Sequence, residues 1–148
     1  MDKVSLTFSV NVEWTGSGRS GEGAVEAGGQ RVAYSAPASM GGNGTGTSPE
    51  ELLLAAVTSC YSATLYRVLE RSGLPVSRVF VATSGYVEDY PQAARFARIV
   101  VHPTIAGADP SRLQEYRQEA LRARELCFIG KTVQGNVAYE VGEVRTRE

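Results

Sequence analysis

Between Ser48 and Pro75 the chain has one reasonable conformation. Ser48-Pro49-Glu50-Glu51 supplies a capping hydroxyl, a proline suited to the first helical position and a glutamate that completes a capping box. Gly73 and Pro75 stop the same element near Ser72. From Leu52 to Val57 the helix is apolar on every side, and a helix apolar all round is buried all round. Its second half carries Arg67, Glu70 and Arg71, so that end reaches solvent. Whatever else the chain builds must supply walls for this helix.

The flanking segments read mainly as strands. Val4, Leu6, Phe8, Val10, Val12 and Trp14 alternate with polar residues, which predicts a long strand with one buried face. A glycine- and serine-rich loop, Gly16 to Gly23, carries Arg19 in its middle. Strands follow over Ala24 to Ala27 and Gln30 to Ala36, with Gly28-Gly29 as a tight hairpin turn between them. Pro37 to Thr47 is a second irregular loop. After the helix come strands over Ser77 to Val87 and Phe96 to Ile105, then a second helix opened by Asp109-Pro110. Leu113, Tyr116, Ala120, Ala123 and Cys127 lie on one stripe of that helix, and a last strand covers Asn136 to Val144. Strand runs broken by two helices predict an α+β fold with an antiparallel-rich sheet, in a single domain spanning residues 1–148. A net charge of −1, with acids and bases interspersed, gives no footprint for nucleic acid or for an anionic membrane. No signal peptide is read at the N-terminus, so the expected compartment is the cytoplasm.

In a reducing compartment two cysteines do not read as a structural staple. With His102 as the only histidine, they do not make a tetrahedral metal site by themselves. Cys60, near the middle of the buried helix, fits either a small core thiol or a nucleophile. The second role gains from Cys127, placed where it can pack against Cys60, and from Arg19 in a loop able to fold over a surface. A guanidinium lowers a thiol pKa and stabilises a leaving alkoxide, and a carboxylate such as Glu50 can hold the guanidinium in place. Arg19 as a solvated loop charge and Glu50 as a helix-dipole partner are the plain alternatives. Glu50 and Cys60 stand ten residues apart, about 15 Å along one helix. Glu50 is therefore expected to serve the Cys60 of a second copy. His102 reads as a surface strand residue, while Tyr61 and Phe128 are candidates to line a substrate pocket. Gly16-x-Gly18-x-x-Gly21 precedes a strand rather than a helix and makes a weak nucleotide fingerprint, so no cofactor is expected.

The run Gly46-Thr47-Ser48-Pro49-Glu50-Glu51-Leu52-Leu53-Leu54-Ala55-Ala56, followed by Ser59-Cys60, resembles the OsmC/Ohr superfamily of osmotically inducible and organic hydroperoxide resistance proteins. The resemblance extends to the Arg19 loop and to Cys127 ahead of Gly130-Lys131-Thr132-Val133. It implies an OsmC-like α+β fold, with antiparallel-rich sheets around two long central helices in an intertwined homodimer. It also implies a peroxidatic Cys60, a resolving Cys127, and Arg19 with Glu50 as the thiolate-activating pair. The activity implied is reduction of organic hydroperoxides by an external dithiol, in some members a dihydrolipoyl group. In many family peroxidases a proline follows the resolving cysteine; here Phe128 does, which looks more like a general OsmC-type member. The alternative function is binding of a small apolar ligand, or redox sensing, without peroxidase turnover.

Overall fold

A computed structural model describes residues 3–148, which pack as two compact units, the first ending at Leu53 and the second running from Leu54 to Glu148. The first holds an antiparallel sheet in the order β1 (Asn11–Thr15), β2 (Glu22–Ala27), β3 (Gln30–Ser35). Gly28 and Gly29, at φ +56° and +77°, make the predicted two-residue turn, with Ala27 opposite Gln30. The predicted strand from Val4 to Trp14 is corrected at its N-terminal end. The β1 ladder begins only at Asn11, opposite Glu26, because β2 has a single residue left before its turn. Residues 3–10 are irregular, and Val4, Leu6, Phe8 and Val10 are 63–83% exposed. Their apolar face is left uncovered within the chain, contrary to the expectation of a buried face.

Helix α1 (Pro49–Arg71) has the predicted bounds to within a residue. The Ser48 hydroxyl accepts the Glu51 N–H at 3.2 Å and donates to Glu51 Oε1 at 2.9 Å, so serine and glutamate pair through their side chains. All-round burial is not observed. Of the six residues from Leu52 to Val57 only Val57 is buried, and Leu53, Ala55 and Ala56 are exposed. Further along, Tyr61, Leu65, Val68 and Leu69 form one buried stripe. By length and composition α1 could cross a bilayer, with a mean hydropathy of 1.4 over its most apolar window, but a core helix of a folded domain passes the same test.

In the second unit β5 (Phe96–Ala106) is central. It pairs antiparallel with β4 (Arg78–Val87) on one side, and parallel with β6 (Ala138–Val141) and β7 (Arg145–Arg147) on the other. The single last strand expected over Asn136 to Val144 is thus two short strands. Pro103 has no N–H to give a ladder, and on the β6/β7 side it falls in the gap between partners: Val101 is the last residue paired with β6 and Thr104 the first paired with β7. Ile99, Val101 and Ile105 of β5 pack with the α1 stripe and with Tyr116, Ala120 and Ala123 of α2 (Leu113–Leu126). The Asp109 carboxylate caps the turn ahead of α2 by accepting the Ser111 N–H at 3.0 Å. Cys127 does not continue the α2 stripe as helix. It is extended, at φ −61° and ψ 119°, and a new short helix α3 (Phe128–Val133) starts after it.

Candidate active site

The two cysteines meet in the second unit. Cys60 is partly exposed on α1, whereas Cys127 is fully buried. Because the chain turns extended at Cys127, its sulfur caps α3, accepting the Gly130 N–H at 3.4 Å. The same sulfur lies 3.9 Å from the Val57 carbonyl, one turn before Cys60 on α1. The turn at Cys127 also aims the first amides of α3 at Cys60. Burial raises the Cys60 pKa, but the Ile129 N–H, the Cys127 thiol, the Phe128 N–H and the Thr64 hydroxyl outweigh it, and Cys60 ends below the ordinary cysteine value. Cys127 moves the opposite way. Burial pushes it up, the Gly130 N–H and Tyr139 oppose that, and the neighbouring Cys60 adds to it. The pair is thus polarised into an accessible sulfur inclined to ionise and a sealed one inclined to keep its proton.

Gly130, Tyr139 and Arg124, given no role from the sequence, also shape this site. A Cβ at Gly130 would lie 2.3 Å from the Tyr139 ring and 3.3 Å from Cys127 Cβ, so only glycine lets the ring close against the start of α3. Arg124 Nη1 donates to the Tyr139 carbonyl at 2.9 Å, tying β6 to α2. Gly130 was visible as part of the Gly130-Lys131-Thr132-Val133 run, but nothing in the sequence pairs it with Tyr139. Tyr61, a candidate pocket residue, is fully buried and donates to the Ala120 carbonyl at 2.9 Å, so it packs α1 against α2. Phe128 is 67% exposed beside the amide that faces Cys60. His102 is the strand residue expected, its Nδ1 accepting the Glu143 N–H at 3.3 Å.

Arg19 and Glu50 belong to the first unit. Arg19 sits in a single 3-10 turn, Gly18–Ser20, with its side chain over Gly41, where a Cβ would come within 3.1 Å of Arg19 Cδ. The two loops of this unit are tied together by Asn43, which donates to the Ser20 carbonyl at 3.2 Å and to Glu22 Oε2 at 2.8 Å. The second loop is held to β3 by the Ser35 hydroxyl, which accepts the Thr45 N–H at 2.8 Å and donates to the Thr45 carbonyl at 2.9 Å. Glu50 occupies the first turn of α1, and its Oε1 is buried with no hydrogen-bond partner among the described residues. A buried carboxyl oxygen so placed calls for a hydrogen-bond partner.

Residues 41–142 match the family model for OsmC-like proteins. The chain is 29% identical over 137 residues to YmaD of Bacillus subtilis, itself uncharacterised, covering 90% of this chain and 91% of that protein. Among solved structures, an OsmC-like protein from Mycoplasma pneumoniae superposes with a TM-score of 0.78 at 14% identity, covering 98% of this chain and 100% of the other. The organic hydroperoxide resistance protein OhrB of Bacillus subtilis does so with a TM-score of 0.61 at 25% identity, covering 93% and 98%. With the family model matched across most of its length and both cysteines inside the matched span, the chain belongs to the OsmC-like family.

Proposed function

We propose that this protein is a thiol peroxidase that reduces organic hydroperoxides to alcohols. The observation that carries the reading is the polarised pair: a partly exposed Cys60 with a lowered pKa, hydrogen-bonding with a buried Cys127. The Cys60 thiolate attacks the terminal peroxide oxygen; the O–O bond breaks, the alkoxide takes a proton and leaves as alcohol, and Cys60 becomes a sulfenic acid. Cys127 attacks that sulfur, its proton leaves with the hydroxyl as water, and a Cys60–Cys127 disulfide forms. An external dithiol reduces the disulfide by exchange and is itself oxidised to a disulfide. The similarity to OhrB supports a hydroperoxide as substrate.

In this reading Arg19 supplies positive charge to the thiolate and to the departing oxygen, and Glu50 holds Arg19. The unpartnered Glu50 oxygen supports such a role. The uncovered apolar faces of residues 4–10 and of α1 support a homodimer in which Glu50 of one copy serves the site of the other. The family match crosses the boundary between the two units, which supports one OsmC-like domain spanning the chain. Two free thiols that must be reduced to act suit the cytoplasm.

The test is to mix purified protein with tert-butyl hydroperoxide and a dithiol and to follow peroxide loss, with light scattering for the assembly state. Dithiol-dependent turnover by a dimer is the expected result. Absence of peroxide loss beyond the uncatalysed rate would overturn the peroxidase reading in favour of ligand binding, and a monomer at micromolar concentration would overturn the dimer.

A further inference from the structure

Tyr139 presents a polar group in a place where one is costly. The residue is 3% exposed and its hydroxyl is buried without a hydrogen-bond partner among the described residues. An orphaned hydroxyl in a packed core is costly, so phenylalanine would be the cheaper occupant. The ring is held on three counts. It closes on Gly130, its backbone carbonyl is fixed by Arg124, and β6 runs parallel to β5 with Tyr139 opposite Ile99. Its hydroxyl lies beside the Cys127 sulfur, which also accepts the Gly130 N–H at 3.4 Å.

We propose that Tyr139 is a catalytic residue of the disulfide steps: its hydroxyl donates a hydrogen bond to Cys127 whenever that sulfur carries negative charge. The inference rests on the peroxidase reading for its place in a cycle, but the contact itself does not. Reduction of the disulfide shows why the donor is needed. Cys127 is sealed, so the thiolate of an incoming dithiol reaches only Cys60. The new S–S bond forms at Cys60, the Cys60–Cys127 bond breaks, and the electron pair goes to Cys127. A thiolate released in apolar surroundings is a poor leaving group, and the Gly130 N–H and the Tyr139 O–H are the donors that meet it. The remaining thiol of the dithiol gives its proton to Cys127 and attacks its own mixed disulfide, freeing Cys60 as thiolate and leaving the dithiol oxidised. Tyr139 keeps its proton throughout. Burial and the adjacent Cys127 raise its pKa far above the ordinary phenol value, so it acts as a hydrogen-bond donor and not as an acid.

Two measurements test this. In Cys60→Ser protein, where Cys127 is the remaining thiol, NMR of cysteine labelled at Cβ gives the Cys127 pKa. Adding Tyr139→Phe should raise that value by about one pH unit. In protein with both cysteines, stopped-flow reduction of the preformed disulfide by dithiothreitol should slow roughly tenfold more than the oxidation of Cys60 does in the same Tyr139→Phe variant. Because removing the hydroxyl also relieves a buried orphan, the variant should melt no lower than the parent. Fluorotyrosine at position 139, a stronger donor of nearly the same shape, should lower the Cys127 pKa and speed reduction, which separates hydrogen bonding from packing. An unchanged Cys127 pKa in both variants, or equal slowing of both half-reactions, would overturn the proposal. If the parent consumes no peroxide, the peroxidase reading fails while the titration still decides the role of Tyr139.

Discussion

The two units of this chain differ in how complete they are. The second supplies the surroundings of its own sulfurs, with the Tyr139 hydroxyl left without a hydrogen-bond partner among the described residues. It holds both sulfurs, supplies from its own backbone the donors that lower the Cys60 pKa, and packs α1, α2 and β5 into a closed core. The first is unfinished as it stands. It carries an exposed apolar segment and, at the start of α1, a buried carboxyl oxygen with no hydrogen-bond partner among the described residues. The comparison teaches that the polarity of the cysteine pair is set by local geometry. In the proposed reading, Arg19 and Glu50 of the first unit add to that polarity.

Removing either sulfur should have the largest effect. Cys60→Ser should abolish peroxide consumption. Cys127→Ser should permit one reaction per subunit, followed by inactivation as Cys60 advances to sulfinic acid, seen as an added mass of two oxygens on the intact protein. Full turnover by either variant would break the division of labour between an open and a sealed thiol. Next in size is Arg19→Ala, expected to slow peroxide reduction by about ten- to a hundredfold. The sign of its pH effect follows from the thiolate being the nucleophile. In the parent the rate rises with pH and levels off above the Cys60 pKa, with a midpoint below the ordinary thiol value. Loss of the guanidinium should move that midpoint upward. A midpoint that stays put with an undiminished rate would show the second unit to be self-sufficient. The smallest effect is expected from Gly130→Ala, which forces Tyr139 off the start of α3 and should cost about 1–3 kcal/mol in denaturant unfolding. A neutral outcome would mean that the Tyr139 contact is looser than the geometry requires.

Elements governed by short-range signals were legible in the sequence. The cap and stop of α1, the Gly28-Gly29 turn and the alternation in β5 each depend on residues adjacent in the chain. The errors arose where a partner decides. Alternation from Val4 onward says that a strand is possible, but a ladder also needs a neighbour, and β2 ends too soon to be one. All-round apolarity from Leu52 to Val57 says that burial is wanted, not that this chain provides it. Cys127 was placed near Cys60 by a helical stripe, yet the backbone leaves the helix at that residue, and the exit is what turns the α3 amides toward Cys60. Backbone donors carry no side-chain signature, so the Ile129 and Phe128 amides that lower the Cys60 pKa were invisible in the sequence. Tyr139 was hidden for a related reason: its partners, Gly130 and Cys127, meet it only through the parallel pairing of β6 with β5.

Pro103 has an effect beyond the strand that holds it. By interrupting the ladder between Val101 and Thr104, it makes β6 and β7 separate fastenings on the same side of β5. Opening of the β5–β7 ladder can halt at this break and leave β6 in place, like a zip with a stitched stop. The segment bearing Tyr139 is thereby fastened to β5 independently of β7.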